Sequence, residues 1–288
     1  MIIWWAVVFL AVFLIGVTKS GFGSGVGLMI VPMMAIALGH IPHLGSGAAL
    51  GLMLPLLIAG DLLAVWQYFP LLSPKEFAPV TIDSVQGDAV GTLPPHLQVR
   101  LVLTRLLPGT LVGLVIGGVL LWLLHRKAEL VDALICIEIG LESILLVSLH
   151  WWRMYRGVQQ HLMPEPWRSR LTGGFVAISS TLAHAAGPIV SMYLLPLRLD
   201  RQMYVGACAI YFFMVNTGKL PVYALTGRFA QASVGFTLRF LPLVILGALF
   251  GKWINKRMSD RIFTSVVYFV TFLLGWYILG DGVMRLWH

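Results

Sequence analysis

Charge is scarce in this chain. Asp, Glu, Lys and Arg make up 11% of its 288 residues, while 58% are hydrophobic. Soluble domains carry about 25% charged residues, so a water-soluble globule is excluded. Cysteine is scarce too. Cys136 and Cys208 are the two in the chain, and both sit in apolar runs. That excludes a disulfide framework and any Cys-based metal spacing, and it reads them as buried small hydrophobes. The N-terminus lacks the marks of a cleaved secretory signal: no basic residue precedes the run of Ile2 to Val17, and no clean small-x-small site follows it. No nucleophile–base pair stands at a recognisable spacing, so the reading is not an enzyme, with no catalytic residue, cofactor or metal. The net charge of +8 does not point to nucleic acid, because the basic residues lie between apolar runs, where membrane orientation accounts for them.

What the chain does have is apolar length. Segments at about 2–38, 44–66, 104–124, 128–149, 169–197, 201–224, 232–254 and 261–280 include several that reach the roughly 20 residues needed to span a bilayer. The expected class is an all-α polytopic membrane protein. Two of the segments are interrupted. The first breaks at Lys19-Ser20-Gly21-Phe22-Gly23-Ser24-Gly25-Val26-Gly27, the second at Ser179-Ser180-Thr181-Leu182-Ala183-His184-Ala185-Ala186-Gly187-Pro188. Paired interruptions in corresponding places of two halves mark the binding site of a secondary transporter.

The halves correspond elsewhere as well. Gly27 matches Gly187, and Gly47-Ala48 matches Gly206-Ala207. Arg105-Leu106-Leu107-Pro108, followed by Gly113 and Gly117, matches Arg239-Phe240-Leu241-Pro242, followed by Gly247 and Gly251. The last match has a shorter offset, which places an insertion in the first half at about 70–98, a stretch of Pro, Gly and Asp that reads as a cytoplasmic loop. Two repeats follow, 1–150 and 151–288. Residues 2–38 as one helix would run roughly 55 Å at 1.5 Å per residue, against a hydrocarbon core of about 30 Å. A broken or re-entrant helical hairpin fits better, and with three further spanning helices each half crosses an odd number of times. Consecutive halves are then inverted. In that arrangement Arg126, Lys127, Arg228, Arg239 and Arg285 fall on one side, Lys19 and Lys219 lie within the membrane, and the remaining 13 of the 20 Lys and Arg fall on the other side. The positive-inside rule then makes this an inner-membrane protein with both termini periplasmic.

The first break suits an anion. Glycines expose backbone N–H groups, a helix starting near Ser24 aims its positive end at what precedes it, and Lys19, Ser20 and Ser24 add donors around Gly21, Gly23 and Gly25. The alternative is a glycine-rich helix contact with Lys19 paired to an acid. The second break offers Ser179, Ser180, Thr181, His184, Gly187 and Pro188, of which Thr181, His184 and Gly187 are the expected site residues, with His184 falling opposite Ser24 in the repeat alignment; a packing histidine is the alternative there. Asn216, Lys219 and Tyr223 share one helix face. Lys219 either coordinates the anion or forms an ion pair with Asp61. Glu138 and Glu142, one turn apart, together with Asp61, are candidates for proton coupling. For the two glutamates the alternatives are pairing with Lys19 or Arg105, or a contact in a homodimer. The small-xxx-small pairs Gly113/Gly117 and Gly247/Gly251 read as close helix contacts. His40 and His43 read as solvent-facing, with no acidic partner for a metal.

These residues resemble the sulfite exporter TauE/SafE family, also called the toluene sulfonate uptake permease family. The matching elements are Lys19-Ser20-Gly21-Phe22-Gly23-Ser24-Gly25 followed by Pro32, and Gly45-Ser46-Gly47-Ala48-Ala49. In the second half they are Ala183-His184-Ala185-Ala186-Gly187-Pro188 leading to Tyr193-Leu194-Leu195, then Gly206 and Asn216-Thr217-Gly218-Lys219-Leu220-Pro221-Val222-Tyr223. Many relatives have asparagine where this chain has His184. The resemblance implies transport of sulfur-containing anions such as sulfite, sulfoacetate or other organosulfonates. Coupling to a proton or sodium ion stays open. An anion channel and an intramembrane enzyme are the competing readings.

Overall fold

Backbone groups in a bilayer find no water, so each apolar segment must satisfy its own N–H and C=O groups, and a helix does this within one segment. The computed structural model describes residues 2–23, 27–42, 44, 48–72, 95–125, 128–157, 166–194, 199, 201–229, 234–257 and 260–287. No strand occurs among them. The helices are α1 (Ile2–Gly21), α2 (Gly27–Gly39), α3 (Ala48–Leu72), α4 (Pro95–His125), α5 (Ala128–Tyr155), α6 (Pro166–Ala183), α7 (Gly187–Leu194), α8 (Arg201–Leu225), α9 (Val234–Asn255) and α10 (Asp260–Trp287). Of these, α1, α3, α4, α8 and α9 are long and apolar enough to cross a membrane. The chain is an integral, all-α polytopic membrane protein. Most of the expected insertion, residues 73–94, lies outside the described residues. What is described of its flanks is helical, since α3 continues to Leu72 and α4 starts at Pro95.

Both interrupted segments fold as hairpins. The end of α2 returns to the start of α1, where the exposed His40 stacks on Trp4 with ring centroids 4.1 Å apart. The end of α7 returns to the start of α6, where the Tyr193 hydroxyl lies 2.6 Å from Ser169 Oγ. His43 lies outside the described residues.

The most extensive packing crosses between the N-terminal five helices and the C-terminal five: α4 on α6, α1 on α9, α5 on α10 and α3 on α8. Exchanging the two sets of five turns the first pairing into the second and leaves the other two unchanged. Glycines explain how close these pairs come. A Cβ on Gly113 would stand 2.8 Å from Gly174 Cα, and one on Gly117 would stand 3.0 Å from Thr181 Cβ, both across the α4–α6 seam. On the α1–α9 seam, a Cβ on Gly247 would meet Gly16 Cα at 3.2 Å and one on Gly251 would meet Val17 Cα at 2.8 Å. All but the Gly117 contact, which meets a side chain, are with backbone atoms, the close approach that small residues permit in membranes. The opposite faces of α4 and α9 present Leu111, Val115, Val119, Leu238, Leu246 and Leu249 outward, which lipid tolerates and water would not.

Candidate functional site

A helix that stops inside a membrane strands its last carbonyls, and the two breaks are built around satisfying them. At the end of α1, Phe22 and Gly23 donate to Thr18 O at 3.0 and 2.9 Å. Gly23 takes the left-handed conformation, φ 75°, that glycine adopts at helix ends. Tyr68 on α3 donates its hydroxyl to Ser20 O at 2.6 Å, and Asn255 Nδ2 on α9 donates to Gly21 O. At the end of α6 the left-handed residue is His184, φ 53°. Its N–H bonds Ser180 O at 3.1 Å. Tyr223 on α8 donates to Thr181 O at 2.7 Å. Histidine enters this backbone region more readily than most side chains with a Cβ.

Between the breaks lies a cavity of about 30 Å³, lined on its polar side by Thr18, Lys19, Ser180, His184 and Asn216, by Gly23 and Gly187 at the helix ends, and otherwise by Ile30, Val31, Met53, Leu57 and Phe212. A water needs roughly 10–15 Å³ on this measure, so the space holds two or three waters or one small anion. The surrounding charges are buried. Lys19 Nζ lies 2.7 Å from Asp61 Oδ1 and 4.4 Å from the centre of the Phe212 ring. Asn216 Nδ2 donates to the other carboxylate oxygen at 2.6 Å. Asp61 is residue 14 of the 25 in α3, and Asn216 is residue 16 of the 25 in α8.

Lys219 is fully buried and does not line the cavity. Its ammonium donates to Ser180 O at 2.9 Å, to Ser180 Oγ at 3.0 Å and to His184 Nδ1 at 2.7 Å. His184 Nε2 lies 3.0 Å from Leu50 O. A carbonyl can only accept, so Nε2 carries the imidazole proton and Nδ1 accepts from Lys219. Both ring nitrogens of His184 are therefore committed to protein.

Among the expected site residues, Lys19, Gly23, His184, Gly187 and Asn216 surround the cavity. Thr181, Lys219 and Tyr223 stand behind it. Thr181 Oγ1 bonds back to Ala177 O at 2.7 Å, and the Tyr223 hydroxyl caps a carbonyl. Ser20 and Gly21 do not line the cavity: Ser20 Oγ is buried with no hydrogen-bond partner among the described residues, and Gly21 sits against Gly251 of α9. Ser24 and Gly25 lie outside the described residues, as do the side chains of Glu138 and Glu142, whose backbone belongs to α5. The expected Asp61–Lys219 ion pair does not form, because Asp61 is taken by Lys19 and Asn216. Sequence reasoning missed the capping roles of Tyr68 and Asn255; it offered Ser180 among the residues of the second break without carrying it into the site, and it gave Phe212 no role there. Tyr68 carried a signal, since it stands near the repeat counterpart of Tyr223.

A polytopic helical membrane protein with a small, partly cationic cavity between two broken helices has the construction of a secondary transporter. The family model for "Sulfite exporter TauE/SafE" matches residues 8–278, and the chain belongs to that family of membrane transporters. No curated protein and no solved structure gives a significant match.

Proposed function

We propose that the chain is a secondary transporter that carries a small sulfur-containing anion, such as sulfite, sulfoacetate or another organosulfonate, across the inner membrane by alternating access. The single observation that carries the reading is the cavity between the two breaks, with the Lys19 ammonium at its wall. Ammonium N–H groups not engaged by Asp61, the second N–H of Asn216 and the backbone N–H of Gly187 at the start of α7 are the donors an oxyanion needs. The two repeats, 1–150 and 151–288, are read as inverted, with both termini periplasmic. Asp61 gives a coupling proton a seat: an anion that draws Lys19 away leaves a buried carboxylate that a proton would neutralise. Glu138 and Glu142 are second candidates for that role.

The test is uptake of ³⁵S-labelled sulfite and of sulfoacetate by proteoliposomes, with and without imposed pH and sodium gradients. Saturable uptake driven by one gradient, and absent in Lys19→Met vesicles, is expected. Equal uptake by wild-type and Lys19→Met vesicles would remove the proposed site.

A further inference from the structure

Lys219 raises a question that the proposed site leaves unanswered. Its three acceptors are a carbonyl, a hydroxyl and a neutral imidazole, so no acid neutralises it directly. Three acceptors call for three N–H donors, so Lys219 is held as an ammonium. Asp61 is already paired with Lys19, so two ammonium groups share one carboxylate and the buried centre carries one positive charge in excess. Desolvated charge of that kind is costly unless something neutralises it.

The hydroxyls show where a neutralising group would touch. Thr18 Oγ1 donates to Ile15 O at 3.0 Å, and Thr181 Oγ1 donates to Ala177 O, so both hydroxyl protons are used within their own helices. Ser180 differs. Its Oγ accepts from Lys219, no acceptor for its proton is found among the described residues, and the side chain lines the cavity. Lys219 holds the oxygen from behind, and the O–H is left to donate forward.

We propose that Ser180 is an anion-contacting donor held in place by Lys219, and that a centre with a single positive charge in excess favours a monoanionic headgroup such as a sulfonate over a dianionic one of the same shape. Lys219 is a positioning residue here and does not touch the substrate. This rests on the cavity being the anion site. A sulfonate brings the centre to neutrality, whereas a tetrahedral dianion overshoots it by one charge in a place with little water to screen the surplus.

Binding of methanesulfonate, sulfate and methylphosphonate to the purified, detergent-solubilised protein at fixed ionic strength tests this. Methanesulfonate should bind at least about tenfold more tightly than sulfate. Methylphosphonate should weaken as rising pH converts it from monoanion to dianion, while methanesulfonate, which does not titrate there, should not follow it. Ser180→Ala should weaken methanesulfonate about ten- to a hundredfold, with Ser180→Thr recovering most of the loss. Lys219→Met removes the excess positive charge, so it should weaken methanesulfonate, weaken sulfate further and widen the margin between them. If Lys219→Met fails to fold, the wild-type anion series and Ser180→Ala still decide. Unchanged methanesulfonate affinity in Lys19→Met would show that the site itself is misplaced. Loss of binding in Lys19→Met, combined with wild-type affinity in Ser180→Ala or with sulfate binding as tightly as methanesulfonate, would keep the site and overturn this inference.

Discussion

The two helix breaks meet the same demand with opposite use of their lysines. At the first, neutral groups from α3 and α9, the Tyr68 hydroxyl and the Asn255 amide, take the free carbonyls of Ser20 and Gly21. Lys19, on the breaking helix itself, is left to face the cavity and Asp61. At the second, the lysine comes from α8 and is spent on structure, because Lys219 caps Ser180 O and orients His184. Breaks at matching places in the two halves therefore need not use their lysines alike. One half supplies a cation that can meet a ligand; the other supplies a cation that braces the groups meeting it.

The largest expected effect follows from Lys19. Lys19→Met should reduce anion affinity more than a hundredfold and lower stability by about 3–5 kcal/mol, since it leaves Asp61 buried and unpaired. Adding Asp61→Asn should return most of the stability and none of the binding, as read by chemical unfolding and by equilibrium binding on the same preparations. A double variant that binds normally would erase the contrast between the two lysines.

Lys219→Met should cost less, about 2–3 kcal/mol, because it strands neutral acceptors and not an acid. Here Asp61→Asn should give no rescue. Recovery of stability in Lys219→Met with Asp61→Asn would mean that Asp61 answers to Lys219 after all.

The smallest effects should come from the shared device. Tyr68→Phe and Tyr223→Phe each remove one hydroxyl from one stranded carbonyl, and each should destabilise by about 1 kcal/mol with anion affinity within about twofold of wild type. A large affinity loss for Tyr223→Phe alone would show that its hydroxyl meets the ligand, and would sharpen the difference between the breaks further.

Much of the fold was legible because lipid leaves the chain few options. Apolar length predicts the helices, and the glycine run after Lys19 and the polar run from Ser179 to Pro188 predict the interruptions at Phe22 and His184. Spacing at Gly113, Gly117, Gly247 and Gly251 predicts close seams, which the structure places on α6 and α1. Partner choice in the polar centre was not legible. Asp61, Lys19 and Lys219 come from three helices, and whether an acid reaches one lysine or the other depends on helix rotation, which hydrophobic periodicity does not report in segments apolar on nearly every face. The hydroxyl of Ser180 was hidden for a related reason. Among the three adjacent hydroxyls of Ser179, Ser180 and Thr181, only hydrogen-bond accounting separates one bonded back to its own helix from one that points into the cavity.

The crossed seams also bear on how the protein is made. Residues emerge from the ribosome in order, yet α1 finds its closest partner in α9 and α4 finds its partner in α6. When α5 has just been made, the glycine faces of α1 and α4 have nothing of their own half to rest against. The N-terminal half must wait in the membrane as loosely associated spans until the later helices arrive. Translation pausing, or a chaperone that shields small-residue faces from the wrong neighbours, would act on that interval.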